Sequence, residues 1–81
     1  MEVRVHFYSY FKELTRCADA SVALPAGATI QDLVTNLHTR FPKLAAMERS
    51  TLIAVGVEYQ DRHYALKPGD EVSLFPPVQG G

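Results

Sequence analysis

The chain has 81 residues, with eight basic and nine acidic side chains, three histidines and one cysteine. That length gives one domain with a modest core, room for one sheet and one or two helices, and little room for a deep catalytic cleft. A formal net charge of −1 without any basic run removes the electrostatic basis for nucleic-acid binding, and no apolar run approaches the length of a membrane span. The lone Cys17 excludes an intramolecular disulfide, and the opening Met1-Glu2-Val3-Arg4 has none of the features of a secretory leader. Both point to a reducing, cytoplasmic setting.

Val3, Val5 and Phe7 alternate with Arg4, His6 and Tyr8, the period of a half-buried strand. Residues 9–15 space Tyr10, Phe11 and Leu14 for a short amphipathic helical turn, with Phe11 and Leu14 closing one end of the core. Ala20, Val22 and Leu24 alternate again in a second strand that Pro25 ends, and this strand can pair antiparallel with the first. Pro25-Ala26-Gly27 is a turn. Thr29 and Asp32 then make an acidic capping box for a main helix over residues 30–40, limited by Pro42. Ile30, Leu33, Val34 and Leu37 form its apolar stripe, which predicts a helix lying over one sheet face.

Residues 42–47 suit another helical turn. Leu52-Ile53-Ala54-Val55-Gly56-Val57 is nearly continuous in apolar residues, and reads as a strand covered on both sides or available to a partner on one, with Gly56 at a bulge or a close backbone approach. Residues 58–62 read as a polar turn and residues 64–66 as a short strand. Lys67-Pro68-Gly69-Asp70 is a turn with Pro and Gly at its centre, and residues 71–75 are the last strand. The order strand–strand–helix–strand–strand–strand suits an α+β fold, a mixed sheet of about five strands with one helix on one face. With the first and last strands adjacent and parallel it is a β-grasp.

In that last strand Val72 and Leu74 share one face, so Phe75 points with Glu71 and Ser73 to the other. Two placements stay open and are compatible. Phe75 anchors a protein interface, or it packs under the tail beside Phe7 or Tyr8. Beyond it, Pro76 and Pro77 cannot extend the ladder and favour a stiff, extended segment. Val78, Gln79, Gly80 and Gly81 complete a tail, 76–81, distinct from a folded domain over 1–75 and able to reach on the order of 20 Å.

No internal catalytic constellation is visible. His6, His38 and His63 lack metal-ligand spacing, Cys17 has no His or Cys close in sequence, and there is no phosphate-cradling glycine loop. What remains is an acyl end on Gly81, ionised at neutral pH because a terminal carboxyl titrates at roughly 3.3–3.7. A carboxylate is a poor acyl electrophile, since its charge opposes attack. A partner using ATP can convert it to an acyl-adenylate, and sulfur can then displace AMP to leave a thiocarboxylate. Glycine at the last two positions keeps that carbon sterically open. The chain then acts as a macromolecular substrate with no catalytic residues, bound cofactor or metal of its own.

The ending Phe75-Pro76-Pro77-Val78-Gln79-Gly80-Gly81, preceded by Lys67-Pro68-Gly69-Asp70-Glu71-Val72, resembles the MoaD-like sulfur carriers, the small subunits of molybdopterin synthase. The resemblance runs over the whole chain and includes Val3-Arg4-Val5-His6-Phe7-Tyr8 and Phe11-Lys12-Glu13-Leu14. Gly-Gly alone is shared with ubiquitin-like modifiers and thiamine-pathway sulfur carriers, so those two roles stand as alternatives, while the longer combination is much more specific. The resemblance implies a ubiquitin-like β-grasp, adenylation of Gly81 by an E1-like enzyme and sulfuration to a thiocarboxylate. It further implies delivery of sulfur to cyclic pyranopterin monophosphate within the large synthase subunit, in a heterotetramer. Phe75, Pro76, Pro77, Val78, Gln79 and Gly80 would be the docking segment. One departure stands out: many relatives carry asparagine where this chain has Gly56.

Overall fold

The alternation of apolar residues builds the sheet directly. In β1 (Glu2–Phe7), Val3, Val5 and Phe7 are buried while Glu2 and Arg4 stay exposed. β2 (Asp19–Ala23) runs antiparallel to it, setting Val22 opposite Val3 and Ala20 opposite Val5. β5 (Glu71–Phe75) lies on the other side of β1 and parallel to it, with Val72 opposite Val5 and Leu74 opposite Phe7. β3 (Leu52–Val55) is antiparallel to β5, and the two-residue β4 (Glu58–Tyr59) completes the sheet in the order β2-β1-β5-β3-β4. The computed structural model describes residues 1–77.

The main helix, α2 (Ile30–Arg40), starts where its cap dictates. The Thr29 hydroxyl accepts from the Asp32 amide at 3.3 Å, and the Asp32 carboxylate accepts from the Thr29 amide at 2.9 Å. Ile30, Leu33, Val34 and Leu37 are buried against the sheet, with Phe11, Leu44 and Leu66 completing the core. Two short helices, α1 (Phe11–Thr15) and α3 (Pro42–Ala45), and a 3-10 turn (Glu48–Ser50) close its ends. Phe11 is fully buried and Leu14 only partly so. A central helix held by a mixed sheet whose first and last strands, β1 and β5, are adjacent and parallel is the β-grasp, as the element order suggested.

Three local readings need correction. The apolar run 52–57 is not one strand: β3 stops at Val55, and Gly56-Val57 forms the tip of a tight hairpin into β4. Gly56 takes φ +62°, which glycine adopts without strain and asparagine tolerates, and Val57 is 99% exposed. Residues 58–62 therefore begin with a strand rather than a polar turn. Residues 64–66 do not form a strand, apart from an isolated bridge between Ala65 and Thr29. Their backbone instead serves the helix: Ile30 donates to the Tyr64 carbonyl and Gln31 to the Arg62 carbonyl, both at 3.0 Å, while Leu66 donates to the Ala28 carbonyl at 2.8 Å. Amides that a helix start leaves unpaired thus take up the carbonyls a strand would have needed. The 67–70 turn does form, with Gly69 at φ +86°, the value a type II turn requires, and Asp70 donating to the Lys67 carbonyl at 3.0 Å.

Candidate functional site

The sheet face turned away from α2 is built from the alternate residues of each strand. The register sets Glu71 beside Arg4, Ser73 beside His6 and Ala54, Phe75 beside Leu52, and Tyr59 beside Ala54. This face divides in two along β5. Its polar half carries an Arg4–Asp19 contact of 3.4 Å and a short His6 Nε2–Glu71 Oε1 contact of 2.7 Å.

The other half, where β5 ends, is aromatic. The Phe75 ring meets Tyr8 edge-on at 6.0 Å between centroids and lies tilted against Tyr59 at 5.8 Å. Phe75 is only half-buried, yet Tyr8 and Tyr59 remain 47% and 67% exposed. Together with Ala54, Val57 and Ser73 these rings line a shallow groove of about 500 Å³. Exposed aromatic area is thus gathered in one place, on a domain whose core is already complete.

At the same strand end, Phe75, Pro76 and Pro77 line a second cleft of about 370 Å³ together with Ser9, Tyr10, Met47 and Ser50. The Tyr10 hydroxyl donates to the Met47 sulfur at 3.2 Å, tying α1 to the segment after α3. Ser9 holds φ +57°, the left-handed turn that carries the chain from β1 into α1. The two grooves thus meet at Phe75, at the root of residues 76–81.

Of the residues singled out from sequence, Phe75, Pro76 and Pro77 form this root. Val78, Gln79, Gly80 and Gly81 lie outside the described residues. Phe75 packs beside Tyr8, as one of its two expected placements had it, and its ring also lines the open groove. Tyr59 was missed because the segment holding it looked like a turn. Tyr8 carried a signal, being the next outward position after Arg4 and His6. Cys17 is partly buried against the core, and its amide donates to the Thr15 hydroxyl at 3.3 Å. His38 borders Phe11, Val34, Leu37 and Leu44. Among the described residues no three His, Cys, Asp or Glu side chains are grouped to hold a metal, and no helix is long and apolar enough to cross a membrane.

The geometry is that of a β-grasp with an open aromatic groove beside the end of β5, and comparison with known proteins agrees on the fold. A profile of the ThiS family matches residues 5–81. The chain belongs to the ThiS family. A relative from Chlamydomonas reinhardtii, named molybdopterin synthase sulfur carrier subunit, is 31% identical over the full length of both chains. A Pyrococcus furiosus structure described as molybdopterin converting factor, subunit 1, superposes with a TM-score of 0.89 at 29% identity, covering 96% of this chain and 99% of that one. A Helicobacter pylori structure described as a complex of subunits 1 and 2 of molybdopterin-converting factor superposes with a TM-score of 0.75 at 26% identity, covering all of both chains. The likeness drawn from the tail motif is borne out across the whole ThiS domain.

Proposed function

We propose that this ThiS-family chain is the sulfur carrier subunit of a molybdopterin synthase, with Gly81 as the residue that is adenylated and then thiocarboxylated. The observation that carries the proposal is the end-to-end match to a relative bearing that name. In the activating step, the Gly81 carboxylate attacks the α-phosphate of ATP on an E1-like partner, forming an acyl-adenylate and releasing pyrophosphate. A sulfur nucleophile then displaces AMP, and the resulting thiocarboxylate is ionised and strongly nucleophilic. The folded domain contributes presentation, and catalysis belongs to the partners.

The large synthase subunit is the second partner, a reading supported by the Helicobacter pylori complex of subunits 1 and 2. The aromatic half of the sheet would dock on it, with Phe75 as anchor. Pro76 and Pro77 would launch Val78, Gln79, Gly80 and Gly81 toward cyclic pyranopterin monophosphate, and the sulfur delivered there would become part of the dithiolene that later holds molybdenum. The test is reconstitution. Thiocarboxylated chain, the cognate large subunit and cyclic pyranopterin monophosphate should give the dithiolene product, and chain lacking Gly80 and Gly81 should give none. Sulfur transfer to a thiazole synthase instead, or isopeptide conjugates to lysines, would overturn the assignment.

A further inference from the structure

The two edges of the sheet differ. β4 is two residues long, whereas β2, at the other edge, has five residues and no neighbouring strand beyond it among the described residues. Antiparallel strands alternate between residue pairs that exchange hydrogen bonds and pairs that do not. Here the bonded pairs are marked at both ends of β1. Met1 and Leu24 exchange two bonds, at 2.7 and 2.8 Å, and the Phe7 amide donates to the Ala18 carbonyl at 2.8 Å. Val3–Val22 and Val5–Ala20 fall in the same phase, so Asp19, Ser21 and Ala23 turn their amides and carbonyls away from β1, along the free edge. Such a row is a template for another strand.

The middle of that row is taken by Arg40, the last residue of α2. Its guanidinium donates to the Ser21 carbonyl at 3.1 Å. The same guanidinium lies 5.2 Å from the centroid of the Phe41 ring, and that ring meets the buried Phe7 edge-on at 5.6 Å. Arg40 is exposed, yet it is held twice, by a strand carbonyl and by an aromatic ring packed against the core. A charged side chain laid across an open strand edge blocks the approach of a second strand.

We propose that the β2 edge is a pairing site for the β2 edge of a second copy of this chain, and that Arg40 keeps it closed. The register that fits is antiparallel and centred on Ser21, so that both copies use the same surface about a two-fold axis. Each Ser21 amide then donates to the Ser21 carbonyl of the other copy, and Asp19 stands opposite Ala23. All five residues of each strand find a partner. The two Asp19 carboxylates end up four residues apart along the pair, about 13 Å. Centring on Asp19 instead sets those like charges face to face, which is unfavourable. The exposed side chains at the centre and the far end, Ser21 and Ala23, are small and bring no further charge. What stands in the way is Arg40, because the carbonyl it occupies is the one the central pair needs. Pairing therefore breaks two Arg40 contacts, one on each copy.

The test is sedimentation equilibrium of the full chain alone, as wild type, Arg40→Ala, and Arg40→Ala combined with Ser21→Glu. Wild type should be monomeric, and Arg40→Ala should form dimers with self-association tightened by about tenfold or more. Ser21→Glu places a carboxylate beside Arg4 within its own sheet, where it is welcome, and opposite its own copy across the two-fold axis, where it repels. The double variant should therefore return to monomer. Thermal melts of dilute samples should stay near wild type, since Arg40 and Ser21 are exposed and alanine favours the helix end. An Arg40→Ala chain that stays monomeric, or wild type that dimerises equally well, overturns the role of Arg40. Dimers that survive Ser21→Glu overturn the β2 edge as the pairing site. No partner subunit enters the measurement, so each of these results leaves the sulfur-carrier reading where it stands.

Discussion

Replacing Phe75 with alanine separates what this side chain does for its own domain from what it does for a partner. Its ring lies outside the core cluster and makes two aromatic contacts, at 6.0 Å with Tyr8 and 5.8 Å with Tyr59. Each such pair is worth about 0.5–1.5 kcal/mol beyond area burial. The third side of the ring opens on the groove, so truncation leaves no sealed cavity and little of the penalty that cavities add. The expected loss is then about 1–2 kcal/mol, or roughly 5–15 °C in Tm for a chain of this size. For comparison, Leu33→Ala removes a side chain with 0% exposure under α2, and should cost about 2–5 kcal/mol. At an interface, an aromatic anchor contributes about 2 kcal/mol or more, which is roughly thirtyfold or more in Kd. Phe75→Ala should therefore show a modest drop in a thermal melt and a much larger loss in calorimetric titration against the large subunit. A variant with the lower Tm but wild-type affinity would refute the anchor role and leave Phe75 as local packing only.

Other substitutions test the fold and the tail independently. Thr29→Ala removes the side-chain half of the α2 capping box and should cost about 0.5–2 kcal/mol in urea unfolding without changing the slope. Gly69→Ala meets no atom within 4 Å, so its cost, about 1–2 kcal/mol, should come from backbone strain at φ +86° alone. At Gly56, φ +62° with open space around it, Asn should melt within a few degrees of wild type, whereas Val should melt clearly lower. Gly81→Ala should leave Tm unchanged while slowing activation or sulfur transfer. Equal losses in both would place that residue in the fold rather than in the chemistry.

Most of the sheet was legible because its strands obey a period of two with one buried face. Val3, Val5 and Phe7 pointed inward as their spacing required, and so did Val72 and Leu74. The helix was legible at both ends, since Thr29 and Asp32 mark its start chemically and Pro42 limits the chain beyond Arg40. What misled was the stretch from residue 52 to 66. Its apolar run continues through Gly56 and Val57, and nothing in composition says that Val57 sits at an exposed hairpin tip. Residues 64–66 have strand-like character, but their hydrogen bonds go to the start of α2, a tertiary demand invisible to local pattern. The same blind spot hid half of the candidate site. Phase alone identified Phe75 as outward, whereas Tyr59 joins it only because β4 folds back beside β3, and Tyr10 and Met47 only because α1 and the segment after α3 meet under Pro76 and Pro77.

The proposed function turns on sulfur carried at the acyl end of this chain. Intact-mass measurement after incubation with the cognate adenylating enzyme, ATP and a sulfur donor addresses it most directly. The expected result is exchange of one oxygen for sulfur, localised to Gly81 by fragmentation and absent when ATP is withheld. An unchanged mass with competent enzymes, or sulfur found on Cys17 instead, would contradict it.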